Sequence, residues 1–250
     1  MILFGDYHTH TIYTHGKSTI EENVLVAIKK GLKEIAITEH SYKHGAHPVK
    51  RSKIKEMREE VDRLNLKYPQ IHILLGLECN LLGVNGEIDV TKEEEEMLDL
   101  IVLGYHKTFK PTLKNFFNFL VPNTFRIGQA SKKRIEINTN AYINAMKNHK
   151  IDILAHLKYG NCTVDVKKIA EFASQNNTYI ELNGKRIDFT DEEIFDVVNS
   201  GAKFIIDSDA HRCDRVGENN HAFNILTRLH ITEDNVANLD KLPTFKNHKG

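Results

Sequence analysis

The sequence predicts a closed parallel α/β barrel of seven βα units, and three observations predict it. Seven short apolar runs alternate with helical segments along the chain, the order that builds a parallel sheet with crossover helices. Almost every apolar run ends in His, Asp or Glu. In an open sheet, whose neighbouring strands lie about 4.8 Å apart, the outer ends stay distant; a closed ring brings them to one mouth. The length of 250 residues is ordinary for a single barrel domain.

The elements follow in order. Ile2-Leu3-Phe4 is an apolar run closed by Asp6-Tyr7-His8-Thr9-His10. In a strand His8 and His10 leave the same face roughly 7 Å apart. Ser18 or Thr19 signals a helix start with Glu21 and Glu22 just inside, and Val24, Leu25, Ile28 and Leu32 recur at helical spacing before Gly31 suits the stop. Glu34 to Thr38 reads as a buried strand ending at Glu39-His40. A charged helix, Arg51 to Lys67, is stopped by Pro69, and Ile71 to Leu77 is a third strand running into Glu78. After a turn-rich excursion from Gly83 to Asp89 and a short acidic helix near Glu93 to Leu98, Leu100 to Leu103 delivers His106. A helix from Lys132 to His149 precedes strand Ile151 to Ala155, which delivers His156. Helix Val164 to Asn176, strand Thr178 to Leu182, helix Asp191 to Ser200 and strand Lys203 to Ile206 follow, the last delivering Asp209 and His211. A helix near Ala222 to Leu229 completes a single domain over residues 1–250, whose polar end, 243–250, is expected to fray.

The irregular stretch is Lys107 to Ser131, which carries Phe109, Phe116, Phe117, Phe119 and Phe125. A segment of this length is either partly helical or functional. Packing of these rings on the barrel exterior is the favoured expectation, ahead of a lid or a subunit contact.

Composition limits the partners. Lys and Arg total 34 and Asp and Glu total 34, so no global field recruits nucleic acid or an anionic membrane. Cys79, Cys162 and Cys213 are widely spaced, which argues against a disulfide framework and a thiolate zinc knuckle. No apolar run approaches the roughly 20 residues that span a bilayer, and Met1 leads directly into a predicted strand. A cytoplasmic protein with no membrane partner is expected.

Nine residues then stand as candidate metal ligands: His8, His10, His15, His40, Glu78, His106, His156, Asp209 and His211. A cation takes four to six donors, so nine suit two or three ions, and a nitrogen-rich set points to zinc, manganese or iron. His44 and His47 lie just beyond His40, where they could meet substrate, although solvated loop histidines are the favoured reading; Asp6 reads as support for the first pair, and the Glu93 to Glu96 run as a solvated helix face.

Those residues resemble the pattern of the PHP family (polymerase and histidinol phosphatase domain). The pattern is met by Asp6-Tyr7-His8-Thr9-His10 with His15, Thr38-Glu39-His40, Gly76-Leu77-Glu78, Gly104-Tyr105-His106, Leu154-Ala155-His156 and Asp207-Ser208-Asp209-Ala210-His211. The likeness covers nearly the whole chain and is closest to the small stand-alone phosphatases, which Asn85-Gly86-Glu87-Ile88-Asp89 also resembles. It implies a distorted (βα)7 TIM-like barrel with a trinuclear site. His8, His10, Glu78 and Asp209 would hold the first ion; Glu78, His106 and His156 the second; His15, His40 and His211 the third. Glu78 would bridge two ions, and Glu78, Asp209 and His211 would serve the chemistry.

Three divalent ions facing two carboxylates leave about four positive charges, a deficit that a phosphate dianion and hydroxide fit. The expected reaction is hydrolysis of small phosphomonoesters through in-line attack of a metal-bridging hydroxide on phosphorus. Arg212, Lys185 and Arg186 are candidate phosphate contacts, with Asn183 facing inward beside them. Histidinol phosphate is one candidate substrate. Phosphodiester cleavage at nucleic acid ends is the rival enzymatic reading; the even charge and absence of a basic aromatic groove count against it, while Lys107, Lys110, Lys114 and the Lys132-Lys133-Arg134 run keep it open. A regulatory metal-binding protein is disfavoured because structural zinc sites are closed and thiolate-rich. A metal-dependent amidohydrolase is weakened by the want of a lysine at an obvious bridging position. A homo-oligomer is left open.

Overall fold

In the computed structural model, which describes residues 1–125, 127–128 and 131–247, seven parallel strands neighbour one another in chain order. They are β1 (Gly5–Asp6), β2 (Glu34–His40), β3 (His72–Asn80), β4 (Leu100–Gly104), β5 (Ile153–Leu154), β6 (Tyr179–Asn183) and β7 (Phe204–Asp207). The connections carry α1 (Ile20–Lys29), α2 (Ile54–Lys67), α3 (Lys92–Glu95), α4 (Leu113–Asn115), α5 (Val121–Thr124), α6 (Lys132–Asn148), α7 (Val166–Gln175) and α8 (Asp191–Ser200), and α9 (Asn220–Leu229) follows β7. Among the described residues no helix is long and apolar enough to cross a membrane.

The period of two in the strands sorts the core into two layers. Ile35 and Ile37 of β2 pack outward with Val24, Met57, Val61 and Leu64 of α1 and α2, whereas Ala36, Leu74, Leu100, Val102, Ile153, Ala155 and Ile205 fill the ring itself. Helix starts are set locally. Thr19 and Thr190 each close a capping box, with Glu22 and Glu193 reaching back to the cap backbone.

The ring closes between β1 and β7, but not by a continuous ladder. At the mouth, the His10 amide donates to the Ala210 carbonyl at 2.8 Å. Below it, Asp207 accepts from the Tyr7 amide at 2.7 Å and Asp6 from the Ser208 amide at 3.0 Å. Further down, Asn238 wedges between the strands, donating to the Gly5 and Ile206 carbonyls and accepting from the Ile206 amide. The result is a nearly closed, distorted barrel.

Several expectations change. The first strand lies at Gly5–Asp6 rather than Ile2–Phe4, because Leu3 bridges antiparallel to Leu239 and the Phe4 amide donates to Asn238. The Phe-rich segment is helical from Leu113 to Thr124, with a π-helical turn over Phe116–Leu120. Phe109 and Phe119 pack on Tyr105, but Phe116, Phe117 and Phe125 stay exposed, so exterior packing describes only part of the set; residues 126, 129 and 130 lie outside the described residues. Glu95 is no solvated residue of the acidic helix. It is buried and accepts from His149 and from the Lys150 amide. The expected fraying after Pro243 does not describe residues 244–247: Phe245 is buried against Tyr7 and Tyr179 at the amino end of the ring, and the Lys246 amide donates to Asp152. Residues 248–250 of that tail lie outside the described residues.

Candidate metal centre

All nine candidate ligands reach the mouth formed by the carboxyl ends of the strands, and Glu78 lies at the centre. It is buried, and the β2–β3 register sets it directly beside His40. Its Oε1 lies 2.8 Å from His156 Nε2 and 3.2 Å from His106 Nε2. Its Oε2 lies 2.5, 3.5 and 3.6 Å from His40 Nδ1, His8 Nε2 and His10 Nε2. Asp209 Oδ1 is 3.5 Å from His10 Nε2 and 3.4 Å from His211 Nδ1. His15 stacks on His40 at 4.8 Å between ring centroids and lies 4.1 Å from His211.

Buried partners outside the nine aim the imidazoles. Glu181, on β6, accepts from His8 Nδ1 at 2.7 Å and from the His156 amide at 2.7 Å. That bond fixes the protonated nitrogen of His8 and turns Nε2 towards the two acids. His106 Nδ1 donates to Asn80 Oδ1 at 2.8 Å; the Asn80 amide is oriented in turn by donating to Asp89 and Ser41. Glu39 accepts from the Thr11 amide at 2.6 Å and from the Thr11 and Thr14 hydroxyls, pinning the loop that carries His15. Such supporting contacts set ring orientation and ligand basicity in metal sites. The sequence reading did not single out Glu181, though a lone carboxylate inside the apolar run Tyr179–Leu182 was the available signal. Asp89 has no signal in the sequence beyond its place in the stretch 85–89, and Glu39 none beyond its adjacency to His40.

Two ligand candidates sit in strained backbone. His156 and Asp209 have φ of 32° and 49°, the left-handed region that costs non-glycine residues of order 1–3 kcal/mol and clusters at functional sites.

The donor set fits metal ions. His8 Nε2, both ring nitrogens of His10, His40 Nδ1 and Glu78 Oε2 are buried without a hydrogen-bond partner, a costly state for polar atoms unless a cation joins them. Even the short His40–Glu78 approach lacks hydrogen-bond alignment. Electrostatics agree. Burial alone would raise Glu78, yet His106, His40 and His8 hold it well below the usual carboxylate range. Asp209 is likewise lowered against its burial, by His8, His10 and Lys185. Burial, with His211 and His40 nearby, lowers His15 to about 4. Among the described residues four compact donor groups emerge: His8, Glu78 and His156; His8, His10 and Asp209; His10, His40 and His211; His40, His44 and His106.

These groups overlap the three expected ligand sets without reproducing them. His15 stands in none, and His44 enters one. Read from the sequence as solvated, His44 is in fact only 7% exposed, stacked on His40 at 4.1 Å and 4°. His47 stacks on His15 at 4.9 Å. The ligand candidates other than His8 and His10 line a cavity of about 520 Å³ whose wall also includes Lys107, Tyr159, Lys185, Arg186 and Asp188. Lys185 Nζ lies 3.2 Å from Asp209 Oδ1 and 3.0 Å from His211 Nδ1. Arg186 is paired with Asp188 at 2.5 Å. Arg212 pairs with Asp214 and does not line the cavity.

Comparison with known proteins bears on the family and the fold. The model of the PHP domain family matches residues 6–190. A protein of Caldanaerobacter subterraneus subsp. tengcongensis named a probable phosphatase is 28% identical, over 98% of this chain and 91% of its own. A probable phosphatase of Thermoanaerobacter sp. is 30% identical, over 96% of this chain and 92% of its own. Among solved structures, histidinol phosphate phosphatase from Lactococcus lactis, crystallised with zinc, L-histidinol and phosphate, superposes with a TM-score of 0.67 at 15% identity, covering 100% of this chain and 99% of that one. The chain therefore belongs to the PHP domain family and is a metal-dependent phosphatase.

Proposed function

We propose that the protein hydrolyses small phosphomonoesters at a centre of three divalent transition-metal ions, zinc, manganese or iron. His8, His10, Glu78 and Asp209 would hold one ion, Glu78, His106 and His156 a second, and His15, His40 and His211 a third. When bound, such ions supply Lewis acidity towards phosphate oxygens and water acidified towards neutral pH. The observation that carries the reading is the set of unpartnered buried nitrogens beside Glu78, whose two oxygens lie within 3.6 Å of five imidazoles.

The chain's own groups divide the remaining work. Glu181 and Asn80 hold the His8 and His106 rings so that each presents Nε2 to the mouth. Lys185 and Arg186 would meet phosphate oxygens from the wall of the cavity, Lys185 leaving Asp209 to do so. Arg212 takes no part in this assignment, since it is committed to Asp214.

Histidinol phosphate, suggested by the Lactococcus lactis enzyme, fits the metal side of the cavity better than its outer wall. Histidinol carries an ammonium group, and among the described residues the only lining carboxylate outside the ligand set is Asp188, already paired with Arg186. Lys107, Lys185 and Arg186 favour an anionic or neutral leaving group instead.

Metal analysis together with a substrate panel tests the proposal. Protein purified without chelators should carry two to three transition-metal ions per chain and turn over p-nitrophenyl phosphate and phosphorylated metabolites faster than bis-p-nitrophenyl phosphate or a short single-stranded oligonucleotide. Less than one ion per chain, or preference for the diesters, overturns it.

A further inference from the structure

We propose that His44 is a phosphate-binding residue: a neutral imidazole that presents its Nε2–H to a phosphate oxygen at the metal centre rather than lending a nitrogen to an ion. This rests on the phosphomonoester reading and extends it to a residue that the ligand pattern does not include.

The tautomer follows from one hydrogen bond. The backbone amide of His47 donates to His44 Nδ1 at 3.2 Å. An amide nitrogen has only a proton to offer, so Nδ1 must keep its lone pair free to accept. In a neutral ring the proton then sits on Nε2, which makes that nitrogen a donor and unfit to ligate. Among the described residues Nε2 has no hydrogen-bond partner, and the ring lines the cavity.

The ring is also held in place before any ligand arrives. One face lies flat on His40 at 4.1 Å, and the ring meets His106 edge-on at 4.8 Å and 86°. Its backbone bridges to Phe109, and the flanking Lys43 and Gly45 join residues 108–110 through Lys110 N–Lys43 O and Gly45 N–Thr108 O bonds of 3.0 and 2.6 Å. Lys43 is further tied to Asp89, the residue that orients Asn80 and so His106. A donor on this frame needs no reorganisation to serve a transferring phosphoryl group, the condition under which one donor counts most.

The competing assignment is ligation, because a His44 nitrogen lies within 4.8 Å of donor nitrogens on His40 and His106. Three variants separate the two. His44→Phe keeps the flat ring and removes the donor; His44→Gln supplies an amide N–H at the reach of Nε2; His44→Asn supplies one that stops short. Metal content, inorganic phosphate inhibition of p-nitrophenyl phosphate turnover, and kcat/KM are measured on each metal-loaded protein.

All three variants should retain wild-type metal content. His44→Phe and His44→Asn should weaken phosphate inhibition about 10-fold and lower kcat/KM about 100-fold, with His44→Gln recovering at least 10-fold of that loss. Where His44→Phe does not fold, the Gln and Asn pair alone decides. Loss of metal in step with activity assigns His44 to the ions and overturns the proposal, as do variants that match wild type in phosphate inhibition and kcat/KM. A wild-type protein that carries its metal but neither binds phosphate nor turns over the ester overturns the phosphomonoester reading itself.

Discussion

Glu78 shows how a single side chain sets the character of the site. Its carboxylate is surrounded by His8, His10, His40, His106 and His156, and the imidazoles outweigh burial to hold it ionised. Glu78→Gln keeps the volume and removes the charge. It should abolish p-nitrophenyl phosphate turnover and lower metal content while circular dichroism remains native; wild-type turnover would refute the central role given to Glu78. Glu39 offers a second test of electrostatics. Burial raises it to about 7 from 4.5, against the pull of the Thr11 and Thr14 contacts. A carboxyl raised on folding contributes stability below its unfolded pKa and loses it as pH climbs through the folded value. Metal-free wild-type protein should therefore lose stability relative to Glu39→Gln as pH rises from about 5 to 8, measured by paired thermal melts; a constant difference between the two melts would disprove the shift.

At the scale of the element, the strands act as levers whose ends must stop at the right residue. β4 ends at Gly104, and a Cβ there would lie 2.7 Å from His156 Cε1 and 3.0 Å from Glu78 Oε1. Glycine is required at this point because two candidate ligands cross the strand end. Gly104→Ala should displace the His156 ring and reduce bound metal several-fold, with turnover falling in parallel; full occupancy by metal analysis would show that the ring has room to move. The apolar runs, caps and stop signals that mark β2, β3, α1, α2 and α8 are local features, so these elements were legible from sequence. The end of β1 was not. Leu3 and Phe4 have strand-like composition, but their partners are Leu239 and Asn238, over two hundred residues away. The Phe-rich segment was equally opaque. Its residues from Leu113 to Thr124 form helix, and which rings are buried depends on Tyr105, a residue outside the segment.

For the whole molecule, the two ends of the barrel have different tasks. The mouth concentrates charged and polar donors, while the amino end is sealed by apolar packing of Phe245 on Tyr7 and Tyr179. Phe245→Ala would open that end and should destabilise the fold by about 3 kcal/mol, read from urea unfolding, with metal content at saturating metal unchanged. A loss under about 0.5 kcal/mol would mean that the tail rests on the barrel without supporting it. The Asp6 and Asp207 contacts that close β1 against β7 lie just below the mouth, and the His10 amide that bonds the Ala210 carbonyl joins that closure to the site.

The sequence by itself determined the alternation of strands and helices, the seven-unit count and the polar residues that follow the strands, because these are read from local periodicity and from side-chain chemistry along the chain. It also carried the family pattern. Only the tertiary structure decided which donors lie beside which, that Glu181 and Asn80 aim the imidazoles, that His44 is buried with its Nδ1 committed, and that the tail seals the amino end of the barrel. Those outcomes depend on contacts between residues far apart in the chain, and distance in space is a property that no local pattern encodes.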